Sequence, residues 1–325
     1  MNSILRDFKG IILIVGGVDV GKTTFTTFLA NKFFSEGRRV AIVDADPGQS
    51  DIGPPGTLGV GFLSNEVKRM SEISPAKLAF IGSTSPAGIF TWPTIWGLND
   101  LVLYAVSKSD VVIIDSSGLV KGKDGYILIR GKISLIRPDL VVFLGRESDY
   151  LHLIEDARRY SKVRVLPSPP GVRRKSQEER KMNRARRWKE YFSDSIEIDL
   201  SWDSIKIGGF PRFGVGTPLS KNLLSELSLE LGAKVIWAED DDGVLRCVLS
   251  HPPQGEVKLG MEWLTLGAIK GTLVGLEGVN GLLDVGIVVD LDETRITVKT
   301  PCDKIGDVRR LLVSKLKIDK EVLES

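Results

Sequence analysis

Cysteine and glutamine are scarce in this 325-residue chain, and long apolar runs are missing. Its two cysteines, Cys247 and Cys302, lie far apart without C-x-x-C spacing. That excludes a disulfide framework and a cysteine-only zinc site, and it makes a reducing, cytoplasmic setting the expectation. No segment approaches the ~18 apolar residues that a membrane helix needs. No leader is expected either, because the apolar run 11–15 is short and leads straight into a glycine loop. A strong charge of one sign is also lacking: the formal net charge is only +2, so whole-chain electrostatics does not argue for a nucleic-acid partner. Glutamine occurs only at Gln49, Gln177 and Gln254 while Glu, Lys and Arg abound, a bias seen in thermophile proteins.

What is present is ordinary globular material, 42% hydrophobic and 26% charged, in a chain long enough for two domains. Short β-branched runs at 11–15, 40–44, 78–81, 111–115, 140–144 and 163–166 read as buried parallel strands. Helical stretches at 23–36, 94–106 and 150–159 alternate with them. The pattern predicts an α/β fold, a doubly wound, mostly parallel sheet. After residue 195 the texture changes to short strands at 196–200, 205–207, 235–238, 245–249, 271–276, 285–290 and 295–299, with one helix near 220–231. Residues 240–243 and 291–294 look like hairpin loops. The expected division is therefore 1–195 for the α/β domain and 196–325 for a smaller β-rich domain.

Gly16-Gly17-Val18-Asp19-Val20-Gly21-Lys22-Thr23 fits G-x-x-x-x-G-K-[ST], with an apolar strand before it and a helix beginning at Thr24 after it. Glycines let successive N–H groups curl inward around phosphate oxygens, and the following helix adds its positive end. The motif predicts ATP binding, with Lys22 on the β- and γ-phosphates and the Thr23 hydroxyl on Mg²⁺. Asp44, Asp46 and Asp115 compete for the metal and base roles at strand ends, and any of them can instead cap a loop. Asp115-Ser116-Ser117-Gly118 mimics the D-x-x-G of GTPases, but the one [NT]-K-x-D-like stretch, 107–110, precedes it. A dedicated GTPase is not expected.

Between Arg173 and Lys189 there are nine cations (Arg173, Arg174, Lys175, Arg180, Lys181, Arg184, Arg186, Arg187 and Lys189) against two acids, Glu178 and Glu179. In a phosphate-loop fold such a helix suits an arginine-bearing lid over the phosphates, or a strip tracking a nucleic-acid backbone. A solvated surface helix is the plainer alternative.

Together these residues resemble the P-loop polynucleotide 5′-hydroxyl kinases, the RNA kinases of tRNA splicing, pre-mRNA cleavage and rRNA processing. The likeness rests on the Gly16–Thr23 loop, Asp46-Pro47-Gly48-Gln49 with Pro54-Pro55-Gly56-Thr57, Gly82-Ser83-Thr84-Ser85-Pro86, and Asp115–Gly118 continuing to Gly122. It extends to a lid at about 171–192 and to the β-rich tail. An archaeal-type member without the N-terminal domain of larger relatives is the expectation.

The resemblance implies that Lys22 and Thr23 hold the phosphates and Mg²⁺, and that Asp46 engages the metal shell and activates the 5′-hydroxyl. Asp115 stands as a further metal candidate. Gln49 positions the reacting ends, Thr84 and Ser85 clasp the nucleic acid, and Lys175 and Arg180 are lid cations with Arg173 and Arg174 as substitutes. The implied acceptor is the 5′-OH end of RNA, with DNA as an alternative. Leu119 stands where relatives often carry tryptophan, so Trp92 or Trp96 could stack a base instead or belong to the core. Two rivals remain: a partitioning or metal-insertion NTPase, and a scaffold that holds ATP inside an RNA-processing complex without turning it over.

Overall fold

The computed structural model describes residues 7–168, 176–209, 213–255, 257 and 260–318. They divide into two compact units, Met1–Trp188 and Lys189–Ser325.

In the first unit, seven strands form one sheet: β1 (Gly10–Gly16), β2 (Val40–Ala45), β3 (Thr57–Phe62), β4 (Lys77–Phe80), β5 (Val111–Ser116), β6 (Leu140–Leu144) and β7 (Lys162–Leu166). Their spatial order is β4-β3-β2-β5-β1-β6-β7. Strands β2, β5, β1, β6 and β7 run parallel. Alternate residues of the central strands feed two cores. Leu13, Val15, Ala41, Val43, Val112 and Ile114 pack against helices α2 (Thr91–Val106), α3 (Gly122–Ile136) and α4 (Leu151–Arg158). Ile12, Ile14, Val40, Ile42, Val111 and Ile113 pack against Leu29, Ala30 and Phe33 of α1 (Lys22–Ser35). Burial on both faces explains why these strands read as continuous apolar runs rather than alternating ones.

Two corrections follow from glycine. The segment expected as a buried parallel strand, 78–81, is instead β4, half-buried at the sheet edge and antiparallel to β3. Strand β3 itself, Thr-Leu-Gly-Val-Gly-Phe, was hidden by Gly59 and Gly61, which lower strand propensity. Those glycines serve close approach: a Cβ on Gly59 would stand 1.9 Å from the Ile52 carbonyl oxygen. Helix α3 was likewise masked by Gly125 and Gly131, and a Cβ on Gly131 would meet Ile95 of α2 at 2.4 Å.

The second unit holds a six-stranded sheet, β8 (Ile196–Ser201), β9 (Lys206–Gly209), β14 (Thr272–Gly278), β15 (Gly281–Leu291), β16 (Arg295–Thr300) and β17 (Arg310–Lys317), ordered β8-β16-β15-β14-β17-β9. A four-stranded sheet contains β10 (Thr217–Pro218), β11 (Val235–Asp241), β12 (Val244–Leu249) and β13 (Glu262–Thr265). Trp237 and Val248 of the smaller sheet join Val274, Leu276, Ile296 and Leu311 of the larger in one core. Besides the expected helix, here Lys221–Leu231, a short one spans Leu266–Ile269. The hairpin at 240–243 turns on Asp242 and Gly243, with φ of 50° and 86°, a geometry short polar residues and glycine tolerate.

Candidate active site

The parallel strands deliver their C-terminal ends to one edge, where a cavity of about 820 Å³ opens. Its walls include the loop Val18–Thr24, the strand-end acids Asp44, Asp46 and Asp115, and Gln49 and Thr84. Arg180, Asn183, Arg184, Arg186 and Arg187 complete it from helix α5 (Gln177–Tyr191). Five separate sequence stretches thus converge on one space.

Local geometry explains the convergence. Gly21 holds φ 87°, which turns the loop into α1. The Gly17 N–H donates to the Tyr150 hydroxyl at 3.1 Å, and that hydroxyl donates to the Leu144 carbonyl at 2.9 Å, pinning the loop to the end of β6. Gly118 lies against the loop so closely that a Cβ would stand 3.0 Å from the Val18 Cα, which accounts for the glycine of the D-x-x-G-like stretch. Pro47 accepts from the Gly56 N–H at 2.9 Å, while the Gly56 carbonyl accepts from Ile81 and Gly82 at 3.0 Å each. These bonds tie the Asp46–Gln49 turn to the Gly82–Pro86 segment. A Cβ on Gly48 would reach within 2.5 Å of the Thr84 oxygen, so the two loops touch.

The three acids have distinct surroundings. Asp44, 2% exposed, accepts backbone N–H bonds from Asp46, Asp51 and Ile52, and so caps the loop that follows β2. Burial, reinforced by Asp51 and Asp115, raises its pKa well above the usual carboxylate range. Asp46 accepts through Oδ1 from Gly48 and Gln49, which fixes its side chain at the cavity wall. Asp115 accepts the Thr23 hydroxyl through Oδ2 at 2.6 Å, and its buried Oδ1 has no hydrogen-bond partner among the described residues. Burial lifts Asp115 to about 6, with Lys22 and Thr23 opposing the rise. Lys22 donates to the Gly17 carbonyl at 2.7 Å, and burial lowers its pKa against the pull of Asp115, Asp46 and Asp19.

The site suits Mg²⁺ by its chemistry. Thr23 and Asp115 present hard oxygens, one of them orphaned, with Asp46 on the same wall. Among the described residues no group of three His, Cys, Asp or Glu converges into a protein-only metal cage.

Helix α5 opens with a capping box: Glu179 N–H donates to the Ser176 hydroxyl at 3.0 Å, and Ser176 N–H to the Glu179 carboxylate at 2.7 Å. It is tethered to the loops by Arg180–Asp19 at 2.5 Å, by Arg187–Asp51, and by Trp188 Nε1 to the Pro55 carbonyl at 3.0 Å. Gln49 Nε2 adds a 3.3 Å bond to the Arg180 carbonyl. Arg173, Arg174 and Lys175 lie outside the described residues. Gly16, Gly17 and the exposed Ser85 are not on the cavity wall, and Trp92 and Trp96 are exposed at 56% and 62% rather than core residues.

Sequence reasoning missed Asp51, Asn183, Tyr150 and Lys132. Lys132 of α3 is fully buried, its ammonium has no hydrogen-bond partner among the described residues, and burial lowers it to about 8. Its only sequence signal was a lysine at the i+4 spacing of Leu128 and Ile136 on the buried face. Among the described residues no helix is long and apolar enough to cross a membrane.

Comparison with known proteins identifies the family. The family model of the mRNA cleavage and polyadenylation factor CLP1 P-loop matches residues 16–194. The polyribonucleotide 5′-hydroxyl-kinase of Methanocaldococcus jannaschii is 32% identical over 95% of this chain and 87% of its own length. That of Thermococcus kodakarensis is 30% identical over 95% and 88%. In fold, the chain is similar to a solved structure of the wild-type Clp1p–Pcf11p complex, with a TM-score of 0.65 at 12% identity, covering 97% of this chain and 76% of that one. The matched region carries the nucleotide-binding loop and the residues that surround it, and the chain belongs to the CLP1 P-loop family.

Proposed function

We propose that this chain is a polynucleotide 5′-hydroxyl kinase that transfers the γ-phosphate of ATP to the 5′-OH end of RNA. The observation that carries the reading is the single cavity shared by the phosphate loop, Asp46, Gln49, Thr84 and the cations of α5. A nucleotide-hydrolysing switch needs no such clasp or basic helix, whereas a kinase must hold an anionic acceptor in line with its donor. The names of the archaeal relatives support polyribonucleotide as the acceptor class.

In this reading Lys22 neutralises the β- and γ-phosphates, and Asp46 accepts the proton of the attacking hydroxyl. Gln49 and Thr84 orient the acceptor, and Arg180 meets charge that develops during transfer. Thr23, Asp46 and Asp115 hold Mg²⁺, which supplies charge neutralisation on the phosphate oxygens when bound. Arg184, farther along α5 on the cavity wall, tracks the RNA backbone. Two buried free cysteines fit work in the cytoplasm.

The test is incubation with γ-labelled ATP and matched 5′-OH RNA and DNA oligonucleotides. Label on the RNA 5′ end, lost in Lys22→Ala at unchanged melting temperature, is expected. No transfer to any 5′-OH end would overturn the assignment, and stronger labelling of DNA would change the acceptor.

A further inference from the structure

A carboxylate is a strange choice for a phosphate loop. Asp19 sits in the middle of Gly16–Thr23, on the wall where a triphosphate binds, and like charges there repel. Its backbone is left-handed, with φ 54°, a conformation that asparagine and aspartate tolerate better than other side-chain-bearing residues. The side chain is only 13% exposed, and Oδ2 accepts from Arg180 Nη2 at 2.5 Å, across 161 residues of chain. Charge-assisted bonds of this length are among the stronger polar contacts.

The same arginine is held elsewhere along its residue. Its carbonyl accepts from Gln49 Nε2 at 3.3 Å, and Gln49 is itself set by its N–H bond to Asp46 at 3.2 Å. Arg180 also follows directly on the Ser176–Glu179 capping box that fixes the helix start, and its N–H donates to the Ser176 carbonyl. Its Nε and Nη1 make no hydrogen bond to the described residues, and Arg180 lines the cavity. A guanidinium anchored through one nitrogen keeps its remaining donors for phosphoryl oxygens in a fixed orientation.

We propose that Asp19 is a positioning residue for phosphoryl transfer, holding the Arg180 guanidinium over the phosphate loop so that it meets the transferring group without reorganising. The proposal rests on the reading of α5 as a lid over ATP. In this role Asp19 acts through Arg180. Its like charge slightly opposes ATP, so its value lies in the rate and not in affinity.

A double-mutant cycle on the full chain tests this, with steady-state kcat and KM for ATP and RNA. Asp19→Gly removes the carboxylate without left-handed strain, and Asp19→Asn keeps a neutral acceptor in the same place. Asp19→Gly should lower kcat by about tenfold with KM for ATP unchanged or lower, and Asp19→Asn should recover part of that loss. Arg180→Ala should lower kcat on the order of 10²-fold, and Asp19→Gly added to it should cause no further loss. Wild-type kcat in Asp19→Gly, or a double variant slowed by the product of the two single effects, overturns the positioning role alone. Wild-type kcat in Arg180→Ala overturns the lid reading and this proposal with it.

Discussion

The Thr23 hydroxyl donates to Asp115 Oδ2 at 2.6 Å, joining the last residue of the phosphate loop to the end of the central strand β5. The bond brings together two of the groups assigned to Mg²⁺, and it holds Asp115 inside the protein at 4% exposure. Burial raises Asp115 from 3.8 to about 6, with Lys22 and the Thr23 bond opposing the rise. Between these values the folded chain binds more protons than the unfolded one, so this group's contribution to stability falls as pH rises from about 4 to about 6. In EDTA, Asp115→Asn should therefore melt above wild type at pH 7.5, by the equivalent of up to about 3 kcal/mol. The difference should vanish near pH 4. A variant less stable than wild type at pH 7.5 would show that the Thr23 bond outweighs desolvation.

Asp46 differs from Asp115 in being fixed by Gly48 and Gln49 N–H groups at the cavity wall. An amide in its place keeps the acceptor oxygen for those bonds but takes up the hydroxyl proton poorly. Asp46→Asn should lower kcat on the order of 10²-fold while KM for ATP shifts much less. Asp115→Asn should instead raise the Mg²⁺ concentration needed for half-maximal rate. If Asp115→Asn loses kcat at saturating Mg²⁺ and Asp46→Asn does not, the two roles are exchanged.

Much of this arrangement was legible because the chemistry and the local fold share the same residues. The Gly16–Thr23 spacing specifies a strand, a loop and a helix as well as a phosphate site, and β1 and α1 lie where it puts them. Helix α5 was legible from its charge alone, and the Ser176–Glu179 capping box that starts it is a finding of the structure. What stayed hidden depends on contacts far apart in sequence. Gly59, Gly61 and Gly131 look like breakers until Ile52 and Ile95 arrive beside them. Asp44 and Asp46 share a periodicity, and only the return of Asp51 and Ile52 shows that Asp44 is a loop cap. The partnerships of Asp19 with Arg180 and Asp51 with Arg187 span 161 and 136 residues, beyond any local pattern.

Lys132 offers a test of burial itself. Its ammonium, unpartnered in the core between α3 and the sheet, is lowered from 10.5 to about 8 mainly by desolvation, against attraction from Asp46 and Asp115. Below about pH 8 the folded chain carries the full penalty. Between about 8 and 10.5 the unfolded chain binds more protons, so stability from this group rises with pH. Lys132→Met fills the same space without charge and should raise stability at pH 7 by roughly 3 kcal/mol, read as a shift in urea midpoint. That gain should shrink as pH approaches 10.5. A Met variant destabilised at pH 7 would mean that the ammonium is paired in solution.

The cations of α5 should separate into two classes, and their contacts say which is which. Arg187 is bound to Asp51, and the next residue, Trp188, to the Pro55 carbonyl, so both hold the helix onto the loop that carries Asp46 and Gln49. Arg184 lines the cavity with no acidic partner among the described residues. A cation of that kind meets RNA phosphates equally in ground and transition states, which is uniform binding. Arg184→Ala should raise KM for RNA several-fold with kcat nearly unchanged, and wild type should show the steeper decline of RNA affinity with salt, by about one phosphate contact. Arg187→Ala should act on kcat instead, because a helix released from Asp51 no longer presents Arg180 at a fixed place, and small misplacements slow transfer by up to about 10²-fold. Measuring both variants at 50 and 200 mM salt separates the classes by about one unit of salt slope. A salt-sensitive KM effect with unchanged kcat in Arg187→Ala would move it to the backbone-tracking group and leave Trp188 as the tether of α5.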